Sequence, residues 1–155
     1  RLVAQAAAEL GVPRDLLYAV MRQESRFDRE AASPAAARGL MQLTLPAAGE
    51  AARELNEAPP AYSDLYDPAR SIRLGAQTLR TLLDRFDGVA TRATSGYNAG
   101  AGQTVLWSGG SDRPAEALLA AISYAETRTY VRRVLANRRA YRLALPEAEA
   151  IGGRR

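Results

Sequence analysis

Between Asp67 and Gly88 lies the stretch of this chain that most narrows its fold class. Asp67-Pro68 is a helix start, with a capping carboxylate followed by a first-turn proline, and Asp87-Gly88 is a stop. Between them Ile72, Ala76, Leu79, Leu82, Leu83 and Phe86 recur at the spacing of one helical face. An apolar stripe of that length has to be covered, and no segment elsewhere alternates with the two-residue period of a strand. Other helices must therefore cover it, and the expected fold class is all-α, with this helix at the centre of the core.

The rest of the chain supplies those helices. Leu2 to Leu10 is stopped by Gly11, and Pro13 opens a second helix as a first-turn proline, ending near Ser25 or Arg26. Further helices are expected from about Pro46 to Leu55, from Val89 to Asn98 closed by Gly100 and Gly102, from Ala115 to Ile122, and from Thr127 to Leu143 with Val131, Val134, Leu135 and Tyr141 inward. Ser33-Pro34 breaks the chain, Gly39 marks a turn or a close backbone approach, and Pro59-Pro60 begins a loop that runs to Asp67. Ser108 to Pro114 reads as a loop with a glycine pair, and Pro146 to Arg155 as a frayed tail. A length of 155 residues fits one domain over 1–155, with a core of about 10–142 and the tail at 146–155.

Composition narrows the chemistry. Cysteine is absent, which rules out disulfides and thiol nucleophiles, and histidine is absent too. The commonest general base and the commonest metal ligand are thereby removed, so no metal or other cofactor is expected. Acid–base work falls to carboxylates, tyrosines or backbone. Every basic residue is arginine and the net charge is +4, offset by scattered acids. Only Arg128, Arg132, Arg133, Arg138, Arg139 and Arg142 cluster, which reads as the solvated face of the last helix. No nucleic-acid partner is expected from it, although a basic surface helps a protein approach an anionic polymer such as cell-wall glycan. The chain begins at Arg1 without methionine, signal peptide or membrane span, and reads as an excised piece or mature product, expected to be monomeric.

One acid stands out against this background. Leu17, Val20, Met21 and Glu24 fall at i, i+3, i+4 and i+7, so Glu24 occupies a register that its neighbours fill with apolar side chains. Burial disfavours the charged form of a carboxylate, and the negative end of the helix dipole opposes ionisation further. Such an acid suits proton donation near neutral pH. The alternatives are a solvated Glu at a frayed end, or one paired with Arg22 or Arg26.

Three later segments bear on Glu24-Ser25. They are Ser33-Pro34-Ala35 leading into Arg38-Gly39-Leu40-Met41-Gln42-Leu43, then Gly96-Tyr97-Asn98-Ala99-Gly100, then Glu126-Thr127-Arg128-Thr129-Tyr130-Val131. In order and spacing they resemble the catalytic domain of the soluble lytic transglycosylases, a lysozyme-like family that cuts peptidoglycan. The resemblance implies a lysozyme-like compact helical domain with a substrate cleft and a place in the bacterial cell envelope, periplasmic or extracellular. Gly96 departs from the family's usual alanine, an exchange expected to loosen its short helix by about 1 kcal/mol. Thr44-Leu45-Pro46 replaces the common Met-Pro, which bears on a sugar contact that the family makes with methionine.

What the resemblance implies for each residue stands beside its plain reading. Glu24 is the implied acid. Gln42 grips sugar hydroxyls or an N-acetyl group, or is an amide satisfied by the fold. Tyr97 hydrogen-bonds a carbonyl or the acid, or is a half-buried core tyrosine. Ser33 orients Glu24, or merely initiates a turn before Pro34. Glu126 and Tyr130 belong to the glycan cleft, Glu126 also being placed to cap amides at the start of the last helix. Met41 is a substrate contact or core packing, while Ser25, Gly39, Asn98 and Gly100 belong to the motif's geometry.

No second carboxylate is evident across a sugar ring from Glu24. The resemblance implies that one Glu serves twice, cutting the β-1,4 bond between N-acetylmuramic acid and N-acetylglucosamine without water and leaving a 1,6-anhydromuramyl end. The rival readings are a goose-type-lysozyme-like hydrolase of the same bond, a non-catalytic peptidoglycan-binding module, and a helical nucleic-acid binder.

Overall fold

A computed structural model describes residues 1–109 and 114–145. The expected frayed tail at 146–155 and most of the expected loop before Pro114 lie outside the described residues. Eight α-helices are described: α1 Leu2–Leu10, α2 Arg14–Ser25, α3 Leu45–Glu54, α4 Pro68–Arg85, α5 Ala90–Ala99, α6 Ala101–Ser108, α7 Ala115–Ala121 and α8 Ala125–Ala144, with a 3-10 helix at Tyr62–Tyr66. Strand pairing among the described residues is confined to isolated bridges at Ala32, Arg38 and Leu43.

Helix α4 is the central element that its stripe predicts. Asp67 caps it by accepting the Arg70 N–H at 2.8 Å, and Pro68 occupies its first turn. Its inward residues, Ile72, Leu74, Ala76, Leu79, Leu82 and Leu83, are buried, and it packs against α1, α3, α5 and the 3-10 helix. The largest helix pairing is α2 with α8. Leu17, Val20 and Met21 of α2 meet a stripe of the same period on α8, Thr127, Tyr130, Val131 and Val134, and all are buried. Asp15 clamps the far end of this pair, accepting from Arg138 at 2.8 Å and Arg142 at 3.1 Å. Burial raises the pKa of Asp15, but the two guanidiniums outweigh it and hold the carboxyl below the ordinary range.

Three local expectations differ from the structure. Pro13 is the N-cap of α2 and not its first helical residue, with ψ at 126°. Tyr62–Tyr66 forms a helical turn inside the expected loop because the Asp64 side chain accepts the Ala61 N–H at 2.8 Å. Gly102 does not close α5; it lies in α6, and Gly100 alone makes the break, at φ 89° and ψ 148°. That backbone conformation is open essentially only to glycine. Gly96 also has a packing role, because a Cβ there would lie 2.8 Å from Leu82 Cδ2 and 3.2 Å from Phe86 Cε2. The missing methyl lets α4 approach, and its side chains fill the space.

The segment 31–43 is a tightly bonded loop docked on α4. Gly39 sits at φ 74°, where an added Cβ would be 1.8 Å from the Leu65 carbonyl oxygen. Met41 is fully buried and fills the notch that Gly75 leaves on α4, and its N–H donates to Ser71 Oγ at 3.3 Å. Replacing Gly39 by alanine is expected to lower stability by about 2 kcal/mol or more, since the loop must both change φ and pull away from Leu65. Thermal unfolding of Gly39→Ala beside Gly49→Ala, whose Cβ would meet nothing within 4 Å, checks this; equal midpoints would refute it.

Candidate active site

Glu24 lies at the end of α2, one turn beyond Met21 on the buried stripe. Its carboxyl faces Tyr130 of α8, whose hydroxyl donates to Glu24 Oε1 at 2.5 Å. Burial raises the Glu24 pKa to about 7, against the smaller opposing pull of that hydrogen bond. No arginine or second acid contributes among the described residues. The alternatives of a solvated Glu and of one paired with Arg22 or Arg26 are therefore not what the fold builds. What it builds is a carboxyl poised between its neutral and charged forms at physiological pH.

Tyr97 closes the arrangement from α5. Its hydroxyl donates to the Met41 carbonyl at 2.8 Å, so it ties the docked loop to α5 and makes no direct bond to the acid. It is near enough that the Glu24 charge, after burial, helps push the phenol well above the ordinary tyrosine range. Tyr130 is pushed up first by burial and then by the Glu24 charge, with its own hydrogen bond to Glu24 and the nearby Tyr97 adding to both. Both phenols hold their protons across the working range, which leaves Glu24 as the group of the three that exchanges one.

The remaining motif residues divide by what they touch. Gln42, at φ 47°, donates its side-chain amide to the Ala31 carbonyl at 3.0 Å and the Gly39 carbonyl at 2.9 Å. Its amide hydrogens thus bind the loop to itself, leaving the carbonyl oxygen as the end with no bond among the described residues. Ser33 Oγ accepts the Ala37 N–H at 3.2 Å, forming a turn, and makes no bond to Glu24. Met41 offers its side chain to Gly75 and not to the surface. Ser25 Oγ donates to the Met21 carbonyl at 3.2 Å and accepts the Phe27 N–H at 3.1 Å, which turns the chain sharply after α2. Asn98 is half-buried in the last turn of α5. Glu126 is exposed in the first turn of α8, past the N-cap Tyr124, and lines a cavity of about 440 Å³ with Gln23, Thr129, Tyr130 and Arg133. Among the described residues no acids are grouped as a metal site requires.

The sequence left Ser33 open between orienting Glu24 and initiating a turn, and the turn is what forms; it put Tyr130, which makes the bond to Glu24, only in the cleft wall. The signal that locates the bond is a shared period: residues 127, 130, 131 and 134 make a buried stripe that mates with 17, 20, 21 and 24. Gln23 was not singled out by any spacing, and its place beside Tyr130 follows from how α2 and α8 cross.

Two measurements probe this carboxyl. In the unfolded chain Glu24 titrates at the ordinary value of 4.5, and in the fold at about 7. The stability associated with its neutral form is complete below pH 4.5 and is lost as pH rises through 7, about 3 kcal/mol in full. Glu24→Gln, which stays neutral, should gain on the wild type by that order between pH 4.5 and 8 in denaturant unfolding; parallel curves would show that the acid is not desolvated. Tyr130→Phe removes a bond that favours the charged form, so the Glu24 carboxyl should titrate higher still when followed by carbon-13 NMR.

Residues 1–120 match the transglycosylase SLT domain family. The soluble lytic murein transglycosylase of Escherichia coli K12 is 33% identical over 136 residues, covering 84% of this chain and 21% of that protein. The solved lytic transglycosylase Slt of Pseudomonas aeruginosa, an inactive mutant with glutamine in place of a glutamate, aligns with a TM-score of 0.86 and 31% identity over 94% of this chain and 24% of its own. The 70-kDa soluble lytic transglycosylase of Escherichia coli aligns with a TM-score of 0.87 and 29% identity over 92% of this chain and 24% of its own. The chain thus spans about a fifth of the length of the curated relative and about a quarter of each solved one. In sequence and in fold, this chain belongs to the transglycosylase SLT domain family.

Proposed function

We propose that this chain is the catalytic domain of a peptidoglycan lytic transglycosylase acting in the bacterial cell envelope, folded as one domain with its core over about 10–142. The observation that carries the reading is the Glu24 carboxyl, half-buried beside two phenols with its pKa raised to about 7 and no partner acid among the described residues. Two-carboxylate glycosidases need a second acid across the bond as nucleophile or base. Here one carboxyl is placed to act alone. The Slt relative described as inactive with glutamine replacing a glutamate supports a mechanism that hangs on one such residue.

In the first half-reaction Glu24 gives its proton to the glycosidic oxygen between N-acetylmuramic acid and N-acetylglucosamine. The C1–O bond breaks, and the substrate's own N-acetyl oxygen stabilises the positive charge at C1. The Tyr130 hydroxyl, already donating to Oε1, holds the carboxylate that results. In the second half Glu24 takes the proton of the muramic C6 hydroxyl while O6 bonds to C1. The anhydro ring closes, the acid is restored and no water is consumed. The attacking hydroxyl is tethered to the carbon it attacks, which gives it the advantage over solvent. Gln42 presents its free carbonyl end toward sugar hydroxyls or the N-acetyl N–H, with Tyr97 holding the loop that carries it and Glu126 lining the cleft. Among the described residues no helix is long and apolar enough to cross a membrane.

Mass spectrometry of digested sacculi decides the reaction. Wild-type protein should release muropeptides lighter by one water than lysozyme products, and Glu24→Gln should bind sacculi yet release almost nothing, a loss of about a thousandfold or more. Reducing-end products would make the chain a hydrolase. Binding without release by the wild type would make it a glycan-binding module.

A further inference from the structure

The arginines of this protein differ in what holds their charge. Arg138 and Arg142 share Asp15 and so depart from the solvated face expected of the last helix, and Arg70 and Arg73 share Glu57. Arg38 is held another way. It is half-buried in the loop that carries Gln42, and among the described residues no carboxylate lies within ion-pair distance of it. Its Nη1 donates to two carbonyls of its own loop, Ser33 at 3.1 Å and Ala37 at 2.9 Å. The same guanidinium lies over the ring of Tyr62 in the 3-10 helix, 5.5 Å from its centroid. Two carbonyl dipoles and the negative face of a phenol ring thus take the place of an acid.

A guanidinium is flat, with its N–H donors at the edge and its faces bare, so its edge can bind carbonyls while a face covers a ring. A lysine ammonium cannot divide its contacts in that way. The edge of Arg38 closes the turn 33–37, in which the Ser33 N–H also donates to the Ala37 carbonyl, at 3.0 Å, and Ala36 stands at φ 62°. The face pins that turn to the 3-10 helix whose Leu65 carbonyl lies against Gly39.

Gln42 needs such a hold. Its backbone stands at φ 47°, a region that non-glycine residues keep only where the surroundings fix it. Arg38 and Leu43 exchange backbone bonds of 3.0 and 3.2 Å and so bracket residues 39–42 as a closed turn. Ala31 accepts the Gln42 amide at 3.0 Å and the Gly39 N–H at 2.9 Å. Residue 38 therefore stands where two turns meet: its backbone ends one and its side chain ties the other. Tyr97 anchors the loop on one side through the Met41 carbonyl, and Arg38 on Tyr62 anchors it on the other.

We propose that Arg38, seated on Tyr62, is a positioning residue that fixes the Gln42 carbonyl oxygen for its sugar partner. The proposal rests on the reading of Gln42 as a glycan contact, and Arg38 acts through the loop without touching the glycan. Without the guanidinium the backbone turn still forms, but Gln42 samples several orientations and binding has to order it.

Two measurements test this without turnover. Amide hydrogen exchange in Arg38→Ala should be about tenfold or more faster at Gly39, Gln42 and Leu43, whose backbone bonds the substitution leaves in place, and unchanged at the fully buried Leu79 of α4. Calorimetry of Glu24→Gln protein with the β-1,4-linked N-acetylglucosamine tetramer should show binding weakened about tenfold by adding Arg38→Ala and less by Arg38→Lys, which keeps the charge. Added to Gln42→Ala, Arg38→Ala should weaken binding no further, since the two substitutions remove one contact. Tyr62→Ala takes the ring from a residue 45% exposed and should act as Arg38→Ala does, which keeps the proposal testable if the arginine variant fails to fold. Unchanged exchange in the loop, no tetramer binding by Glu24→Gln, or an equal loss from Arg38→Ala with and without Gln42 overturns the positioning role. A missing anhydro product with this coupling intact would sink the catalytic reading alone.

Discussion

The hydrogen bond from Tyr130 to Glu24 joins α8, the last of the described helices, to α2, and the site depends on it. A carboxyl on an apolar stripe is a liability that most helices avoid, because its charge is poorly tolerated and its neutral form still needs a partner. The α2–α8 pair meets that need with one phenol that can donate to the carboxyl in either protonation state. Burial pulls the pKa up and the phenol pulls it down, and the balance at about 7 is a property of the helix pairing, not of either residue. The Asp15 clamp at the other end of α2 fixes that pairing without adding charge near the acid.

A second constraint reaches the site from α4. The loop 38–43 can lie where it does only because Gly39 has no side chain against Leu65 and because Gly75 leaves a notch for Met41. Once seated, the loop presents the Met41 carbonyl to Tyr97, and Tyr97 thereby fixes α5 beside Glu24. The glycines of α4 and α5 do related work: Gly75 admits a side chain from the loop, and Gly96 admits Leu82 and Phe86. Close helix and loop approach, bought with missing methyl groups, is what lets a small protein enclose a carboxyl at all.

How much of this was legible in the sequence follows from the range of the forces involved. The stripe of α4, the Asp67-Pro68 start and the odd register of Glu24 are local patterns, and they read directly. The all-α class and the place of Glu24 on an apolar stripe were accessible for that reason, whereas the loop motif was identified through the family resemblance. Partners across the fold were not. The choice of Tyr130 over Ser33 beside Glu24, the capture of Gln42's amide hydrogens by Ala31 and Gly39, and the sorting of the arginines into paired and unpaired sets depend on how distant segments meet. The helix α6 was missed because its glycine at 102 and short length look like loop, while the torsions of Gly100 allow one helix to follow another with no linker.

The proton inventory of the site bears on the chemistry more than any single contact does. Tyr97 and Tyr130 are both driven upward by burial and by the charge of Glu24, so the three groups compete and only the carboxyl can release a proton near neutrality. On the proposed reading, a reaction that needs a proton delivered to a leaving oxygen and another removed from an attacking one passes both through Glu24 in succession. Delivery leaves a carboxylate held by Tyr130, and a carboxylate whose acid has a pKa near 7 is a competent base for a hydroxyl moving toward an electron-poor carbon. Each half-reaction prepares the protonation state that the next requires, which is the physical basis for expecting one acid to suffice.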